Sequence, residues 1–154
     1  MLLKFQKISK VDIAQIFRVY RESIDREYRD SKDCNCPEEA FYEDLRHFFS
    51  VSGAILGVWC ADGVYMASLR LEPYRDGYLI SCLETAPNCR RRGYASILLS
   101  QLMEQFPGSY YAHIDKKNRP SLLLHAKLGF EVISDHAVYV DGSVFTSSYT
   151  LKKC

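Results

Sequence analysis

The sequence lacks any apolar run close to the roughly 20 residues that a membrane-spanning helix needs. The segment from Met1 to Lys10 also lacks the long apolar core of a secretory signal peptide. We therefore expect a cytoplasmic protein with no membrane partner. In a reducing compartment the 6 cysteines are expected to remain free thiols.

An excess of charge of either sign is missing as well. The 20 Lys and Arg residues against 19 Asp and Glu residues leave a formal net charge of +1, so we do not expect the broad positive surface that nucleic-acid binding requires. Hydrophobic residues make up 47% of the chain and charged residues 25%, which is typical of a folded globular protein. Because the chain has 154 residues and no internal repeat or linker, we expect one domain over residues 1–154.

Clustered metal ligands are scarce. Cys34 and Cys36 form a Cys-x-Cys pair, but no second pair accompanies it at a spacing suited to zinc. We therefore interpret them as loop cysteines and expect no metal site. Cys82 and Cys89 are interpreted as small buried apolar residues and not as covalent nucleophiles.

Apolar residues at a spacing of three and four predict four helices. The helices are expected to begin at or near Ser9, Pro37, Ala95 and Pro120. Ser9, followed three residues later by Asp12, resembles an N-terminal capping box. Gly129 is expected to end the last helix in a left-handed conformation.

Three Asp-Gly dipeptides predict tight hairpin turns, at Asp62-Gly63, Asp76-Gly77 and Asp141-Gly142. The predicted strands span residues 1–8, 54–60, 64–71, 78–85, 110–114, 130–133, 137–140 and 144–151. The hairpins favour a largely antiparallel sheet, whereas the middle of the chain alternates strand, helix, strand, helix, strand. The sequence therefore predicts an α/β (α+β) fold.

The connection between the first two helices is acidic. Residues 25–44 contain eight acidic side chains and three basic ones. Such an excess attracts a cationic substrate, although an ordinary solvated surface is the simpler interpretation.

A glycine loop connects a predicted strand to the third predicted helix. Unpaired N–H groups at the start of a helix bind phosphate. Gly93 permits close approach of the backbone to such a ligand, and Ala95 keeps the wall of the site small. Three consecutive arginines add positive charge for a ligand with several phosphates: Arg90, Arg91 and Arg92. Taken alone, this hexapeptide is equally consistent with an exposed basic helix start.

Two segments resemble motifs of the GNAT superfamily of N-acetyltransferases. Arg90, Gly93 and Ala95, with Pro87 upstream, match the family's RxxGxA motif. The segment NRPSLLLHAKLGF, residues 118–130, resembles the family's NxxSxxxYxKxGF motif and follows at the expected distance. The resemblance extends over essentially the whole chain in the order of its strands and helices.

This resemblance implies a mixed, mostly antiparallel sheet of six to seven strands with about four helices. The fourth and fifth strands are expected to splay apart around acetyl-coenzyme A (acetyl-CoA), the implied co-substrate, and no metal is implied. The residues that the resemblance assigns to cofactor binding are Leu83, Thr85, Arg90, Arg91, Arg92, Gly93, Tyr94, Ala95, Asn118 and Ser121.

Direct transfer requires a base for the amine and benefits from an acid for the departing thiolate. His113 is the first candidate base, because it stands five residues before Asn118, where some relatives carry a glutamate or histidine. Glu84 is the alternative base, although regular strand alternation places it opposite Leu83 unless a bulge rotates it. His125 occupies the position of the family's usual tyrosine acid, which is a departure from the family pattern.

The expected function is therefore N-acetyl transfer from acetyl-CoA to a primary amine in a ternary complex, with a small cationic amine as acceptor. A peptide or protein N-terminus or a lysine is the alternative acceptor. A sensor that binds acetyl-CoA without turning it over is a second alternative. We expect a monomer or homodimer that binds no nucleic acid.

Overall fold

The computed structural model describes residues 1–29 and 36–154. The helices of these parts of the chain are α1 (Ile13–Val19), α2 (Arg21–Glu27), α3 (Pro37–Phe49), α4 (Tyr94–Gln105) and α5 (Arg119–Lys127). The strands are β1 (Leu2–Phe5), β2 (Ile55–Ala61), β3 (Val64–Tyr74), β4 (Gly77–Thr85), β5 (Ser109–Asp115), β6 (Glu131–Ser134), β7 (Ala137–Val138), β8 (Val144–Phe145) and β9 (Ser148–Lys153). Short 3-10 helices span Ile8–Lys10 and Pro87–Cys89.

Seven of the strands form one sheet in the order β1-β2-β3-β4-β5-β9-β6, and β7 pairs with β8 separately. All neighbours in the large sheet are antiparallel except β4 and β5, which are parallel. The predicted mixed, mostly antiparallel sheet is confirmed. The described residues contain five α-helices where about four were expected.

The extra helix arises because the first predicted helix is two helices. The chain leaves helical geometry at Tyr20, with φ −94° and ψ 16°, between α1 and α2. The predicted start at Ser9 is wrong, since Ser9 lies in a 3-10 helix and Asp12 is the residue that caps α1. The Asp12 carboxylate accepts a hydrogen bond from the backbone N–H of Gln15 at 3.2 Å, and this satisfies an otherwise unpaired donor of the first turn.

The three predicted hairpins differ in outcome. The β2–β3 turn is confirmed, with left-handed φ values of 52° at Asp62 and 75° at Gly63. The next turn lies one residue earlier than predicted, because Gly77 already pairs with Tyr74 as the first residue of β4. The third prediction is wrong in extent: β7 and β8 are two residues each, and β9 leaves the hairpin to join the large sheet between β5 and β6.

Helices cover both faces of the sheet. On one face, α1, α2 and α3 bury apolar side chains against β2, including Ile16, Val19, Ile24, Phe41, Leu45, Leu56 and Val58. On the other face, α4 packs against β2, β3 and β4, and the apolar cluster there includes Leu98, Leu99, Leu102, Leu69, Leu71, Ile80 and Ile114. The two layers leave the carboxyl-terminal ends of β4 and β5 as the place where the sheet opens.

The opening begins where the parallel pairing stops. β4 and β5 are paired only from Gly77 with Ser109 to Ile80 with Ala112, although both strands continue beyond that point. A bulge in β4 follows at once, with a register shift opposite β3 and a φ of 52° at Cys82. The buried Tyr20 hydroxyl donates to the Cys82 carbonyl at 2.6 Å. The predicted splaying of the fourth and fifth strands is thus confirmed.

No helix in residues 1–29 or 36–154 is long and apolar enough to cross a membrane.

Gly77 lies at the paired end of β4 and β5, where the two strands are in close contact. A Cβ atom at this position would lie 1.9 Å from the backbone oxygen of Ser109, so Gly77→Ala is expected to push β4 from β5. We expect the free energy of unfolding, measured by urea denaturation, to fall by about 3 kcal/mol.

Gly57→Ala in β2 is the matched control, because its Cβ would make only an ordinary contact of 3.4 Å with Leu69. We expect that control to change stability by less than about 1 kcal/mol. Equal stabilities of the two variants would contradict the tight β4–β5 contact.

Candidate functional site

The diverging ends of β4 and β5 form the walls of a cleft of about 370 Å³. Six of the predicted site residues line it together: Leu83, Glu84, His113, Asn118, Ser121 and His125. Ser23 and Arg26 of α2 and Asp115 at the end of β5 also line the cleft, although none of them was predicted as a site residue. No sequence signal marked Ser23 and Arg26, because the polar side of an amphipathic helix resembles a solvated surface.

A second groove, of about 420 Å³, adjoins the cleft and shares Leu83, Glu84, Asn118 and Ser121 with it. Its other lining residues include Thr85, Arg90 and Ala95. The groove and the cleft therefore connect the start of α4 to the opening between the strands.

The glycine loop lies at the start of α4 and has the geometry of an anion site. Gly93 is the N-cap residue in a left-handed conformation, with φ 78°, and no side chain caps the helix there. Arg91 is also left-handed, with φ 62°, and such alternation in the backbone turns successive N–H groups toward one side. A Cβ atom on Gly93 would meet nothing within 4 Å. The loop thus exposes helix N–H groups that have no side-chain partner.

The three arginines of this loop have different surroundings. The guanidinium of Arg90 lies 2.7 Å from the Glu22 carboxylate of α2 and 3.9 Å from that of Glu84. Within the described residues, Arg91 and Arg92 are exposed and take part in no ion pair. Arg90 is therefore partly committed to α2, whereas Arg91 and Arg92 are available to a ligand.

Glu84 faces the cleft because of the bulge. Regular alternation predicted it on the side opposite Leu83, yet both residues line the cleft. The Ser23 hydroxyl donates to the Glu84 carboxylate at 2.5 Å, and the Glu84 side chain is only 17% exposed. Burial raises the pKa of Glu84, while the Ser23 hydrogen bond acts in the opposite direction.

His113 lies on β5 between two tyrosine rings. Its ring centroid is 5.5 Å from that of Tyr74 and 4.5 Å from that of Tyr139. The Tyr74 hydroxyl donates to the Val138 carbonyl, so its oxygen is left to accept from His113 Nε2 at 3.4 Å. This arrangement leaves the lone pair on Nδ1, which is buried and has no partner among the described residues. Burial, and secondarily the positive charge of Arg75, lower the pKa of His113.

His125 lies on α5 and is 2% exposed. Its Nδ1 is 2.8 Å from the carbonyl oxygen of Ser121. A carbonyl oxygen only accepts, so Nδ1 carries the ring proton and Nε2 the lone pair. Nε2 is buried and has no partner in the parts of the chain that the structure describes. Burial lowers the pKa of His125, and the hydrogen bond to Ser121 opposes that effect only in part.

Asn118 is the N-cap of α5. Its side-chain oxygen accepts from the backbone N–H of Ser121 at 3.3 Å, which is the usual task of an asparagine in this position. Asn118 also lines both the cleft and the groove, so the capping role and contact with a ligand are compatible.

The acidic connection is more neutral than its composition suggests. Residues 30–35, which include Cys34, lie outside the described residues. Most of the acidic side chains that are described have a basic partner: Asp25 and Glu38 with Arg21, Glu43 with Arg46, and Asp44 with Arg70. These ion pairs weaken the argument that the segment attracts a cationic substrate.

Of the two cysteines predicted to be buried, one is buried and one is exposed. Cys89 is buried as predicted, at 5% exposure, but the prediction for Cys82 is wrong, because the bulge exposes its side chain at the cleft. Cys36 is a partly exposed free thiol. In residues 1–29 and 36–154, no group of three or more His, Cys, Asp or Glu residues is arranged to hold a metal ion.

Comparisons with known proteins agree with this geometry. Residues 18–130 match the model of the family described as Acetyltransferase (GNAT) family. No curated protein matches the chain.

Solved structures of low sequence identity share the fold. The ribosomal-protein-alanine N-acetyltransferase from Brucella melitensis is 19% identical, with 98% of each chain covered and a TM-score of 0.67. An aminoglycoside 6'-acetyltransferase type Ii is 14% identical, with 99% of this chain and 96% of the other covered and a TM-score of 0.72. The PaiA N-acetyltransferase from Thermoplasma acidophilum, solved with coenzyme A, is 15% identical, with 99% and 98% covered and a TM-score of 0.63.

The two cleft histidines make stability sensitive to acid. Their folded pKa values lie below the unfolded value of 6.5, so the unfolded chain binds more protons in acid. The free energy of unfolding is therefore expected to fall as the pH drops below about 6.5, and the loss is complete below the folded pKa values. Urea denaturation at about pH 7.5 and about pH 5.5 measures this change.

His125→Gln should reduce the acid-induced loss of stability, because it removes one of the two groups. His47→Gln is the control, since His47 is exposed on α3 and its replacement should leave the loss in place. If His125→Gln loses as much stability in acid as the unmodified protein, the buried neutral state of His125 is wrong.

Proposed function

The chain belongs to the Acetyltransferase (GNAT) family, and from this premise we propose that it transfers the acetyl group of acetyl-CoA directly to a primary amine. The observation that carries the proposal is the cleft itself, which His113 and His125 both line and in which each imidazole has one buried ring nitrogen without a partner among the described residues. Buried acceptors of this kind require donors. An amine N–H and the N–H groups of a pantetheine arm supply them.

The described residues fit acetyl-CoA along the groove and the cleft. The loop Arg90 to Ala95, including Tyr94, would hold the diphosphate at the start of α4. No strand of the described residues pairs with Leu83 to Thr85 on the β5 side of β4, so backbone polar groups there would be free to pair with pantetheine. Asn118 and Ser121 would contact the same arm from α5. Bound in this way, acetyl-CoA supplies an activated thioester whose carbonyl carbon accepts the amine.

His113 is our first candidate for the base that prepares the amine. A base must be neutral before it acts, and burial keeps His113 neutral at physiological pH. Glu84 is the alternative, because its raised pKa brings a carboxylate closer to the range of a general base. Both lie in the cleft, so kinetics of single variants decide between them.

The charges of the cleft favour a cationic acceptor. In the part of the chain that the structure describes, the carboxylates of Glu84 and Asp115 line the cleft together with one cation, Arg26, and both histidines are neutral. A small amine that is protonated in solution is attracted to such a site. The Brucella relative acts on a ribosomal-protein alanine and another relative on an aminoglycoside, so a protein N-terminus is the second candidate acceptor.

Release of free coenzyme A thiol tests the function. Acetyl-CoA is supplied with a panel of polyamines, aminoglycosides, amino acids and short peptides, and steady amine-dependent release is expected with at least one class. Binding of acetyl-CoA without release for any amine would instead favour a sensor.

Gly93→Val is expected to abolish acetyl-CoA binding, measured by isothermal titration calorimetry. Its side chain would project into the open side of the loop, where the diphosphate would lie, and a β-branched residue resists φ 78°.

Gly63→Val is the matched control, because Gly63 has φ +75 and its Cβ would also meet nothing within 4 Å. Gly63 lies in the β2–β3 turn, so this variant suffers the same backbone strain but should bind normally. Undiminished binding by Gly93→Val would place the diphosphate elsewhere.

His113→Ala is expected to lower kcat by about 100-fold, the low end for positioned acid–base catalysis. The KM for acetyl-CoA should change little, since His113 lies outside the adjoining groove. An unchanged kcat would remove His113 from the mechanism, and the same loss in Glu84→Gln alone would transfer the role to Glu84.

A further inference from the structure

The proton of His125 is already committed in the ligand-free protein. Nδ1–H donates to the Ser121 carbonyl at 2.8 Å. Nε2 therefore carries the lone pair and is buried without a partner among the described residues, in a side chain that lines the cleft. The Phe130 ring packs edge-on against the imidazole, with centroids 5.0 Å apart. The hydrogen bond and the packing hold the ring in one orientation, so the ring nitrogen that remains for a ligand is an acceptor.

An acceptor cannot perform the step that the resemblance suggested for this position. A general acid must hold a proton before the thiolate departs, whereas neutral His125 has none to give from Nε2. His125 therefore differs from a tyrosine at this position. A tyrosine phenol is protonated at neutral pH and donates a hydrogen bond, whereas Nε2 of His125 accepts one.

We infer that His125 is a proton carrier, which takes a proton from the amine nitrogen and returns it to the sulfur of coenzyme A. This inference rests on the proposed acetyl transfer and assigns the fate of a proton within it.

The step balances without any further reactant. As the C–N bond forms, Nε2 accepts one proton from the amine nitrogen and the imidazole becomes cationic. As the C–S bond breaks, sulfur keeps the bonding electron pair and takes that proton from Nε2. His125 is then neutral again, and the products are the amide and the free thiol.

One nitrogen suffices for both transfers because of where the reacting atoms lie. The attacking nitrogen and the departing sulfur share one carbonyl carbon during the transfer, so both can lie within hydrogen-bond reach of a single ring nitrogen. The buried imidazole holds a proton weakly, which favours its delivery to sulfur. His113 remains responsible for the earlier proton, which an ammonium acceptor loses before attack.

The pH dependence of kcat separates a carrier from an acid. A carrier must start neutral, so kcat should fall as the pH drops through the pKa of His125. An acid must start protonated, so kcat should fall as the pH rises through that pKa. Among the described residues, the other ionisable groups that line the cleft are Cys82, Glu84, His113, Asp115 and Arg26, so the pKa of each histidine is measured separately by NMR titration.

The experiment compares the unmodified protein with His125→Phe and His125→Tyr. Phe keeps a ring against Phe130 but carries no proton, and we expect kcat to fall by about 100-fold with the KM for acetyl-CoA within about twofold. Tyr restores a donor, so we expect partial recovery of kcat and a new decline at alkaline pH. His47→Gln, on α3, is the control for unrelated histidine loss.

Long-range ¹H–¹⁵N NMR of the unmodified protein gives a readout that is independent of turnover. We expect the proton of His125 on Nδ1. A proton on Nε2, a decline of kcat with rising pH through the pKa of His125, or an unchanged kcat in His125→Phe would each overturn the inference while leaving acetyl transfer intact. Failure of the unmodified protein to release thiol with any amine would overturn the proposed function itself.

Discussion

The parting of β4 from β5 is the constraint on which the rest of the site depends. Parallel pairing ends at Ile80 and Ala112, and the bulge at Cys82 prevents it from resuming. The Tyr20 hydroxyl satisfies the carbonyl that the bulge turns away from the sheet, so the distortion leaves no buried acceptor unpaired there. The break between α1 and α2 occurs at the same tyrosine. One side chain thus connects the opening of the sheet to the helix that carries Ser23 and Arg26.

Two histidines from different elements meet in this opening, and both are neutral for the same reason. Burial removes the water that stabilises an imidazolium, and no carboxylate among the described residues is hydrogen-bonded to either ring. Their tautomers are nevertheless opposite, because Tyr74 leaves the lone pair of His113 on Nδ1 and Ser121 leaves that of His125 on Nε2. The cleft therefore offers two proton acceptors, while Arg26 is the only cation that lines it among the described residues.

Much of the fold was predictable because its signals are local. Helical periodicity identified α3, α4 and α5, Pro37 marked the start of α3, and the Asp62-Gly63 dipeptide identified the first hairpin. The failures have tertiary causes. Gly77 was assigned to a turn, yet its lack of a side chain serves the contact with Ser109. The first helix was predicted as continuous because its apolar spacing persists through Tyr20. The break there coincides with a hydrogen bond to Cys82, a residue distant in sequence.

The sequence by itself determined the family, the glycine loop and the residue types that line the cleft, because these depend on short motifs and on their order along the chain. Only the tertiary structure decided the direction, the burial and the hydrogen-bonding partners of those side chains. It turned Glu84 into the cleft, committed Arg90 to Glu22, exposed Cys82 and made His125 an acceptor. Side-chain direction, burial and tautomer are set by partners distant in sequence, and no local pattern of residues encodes them.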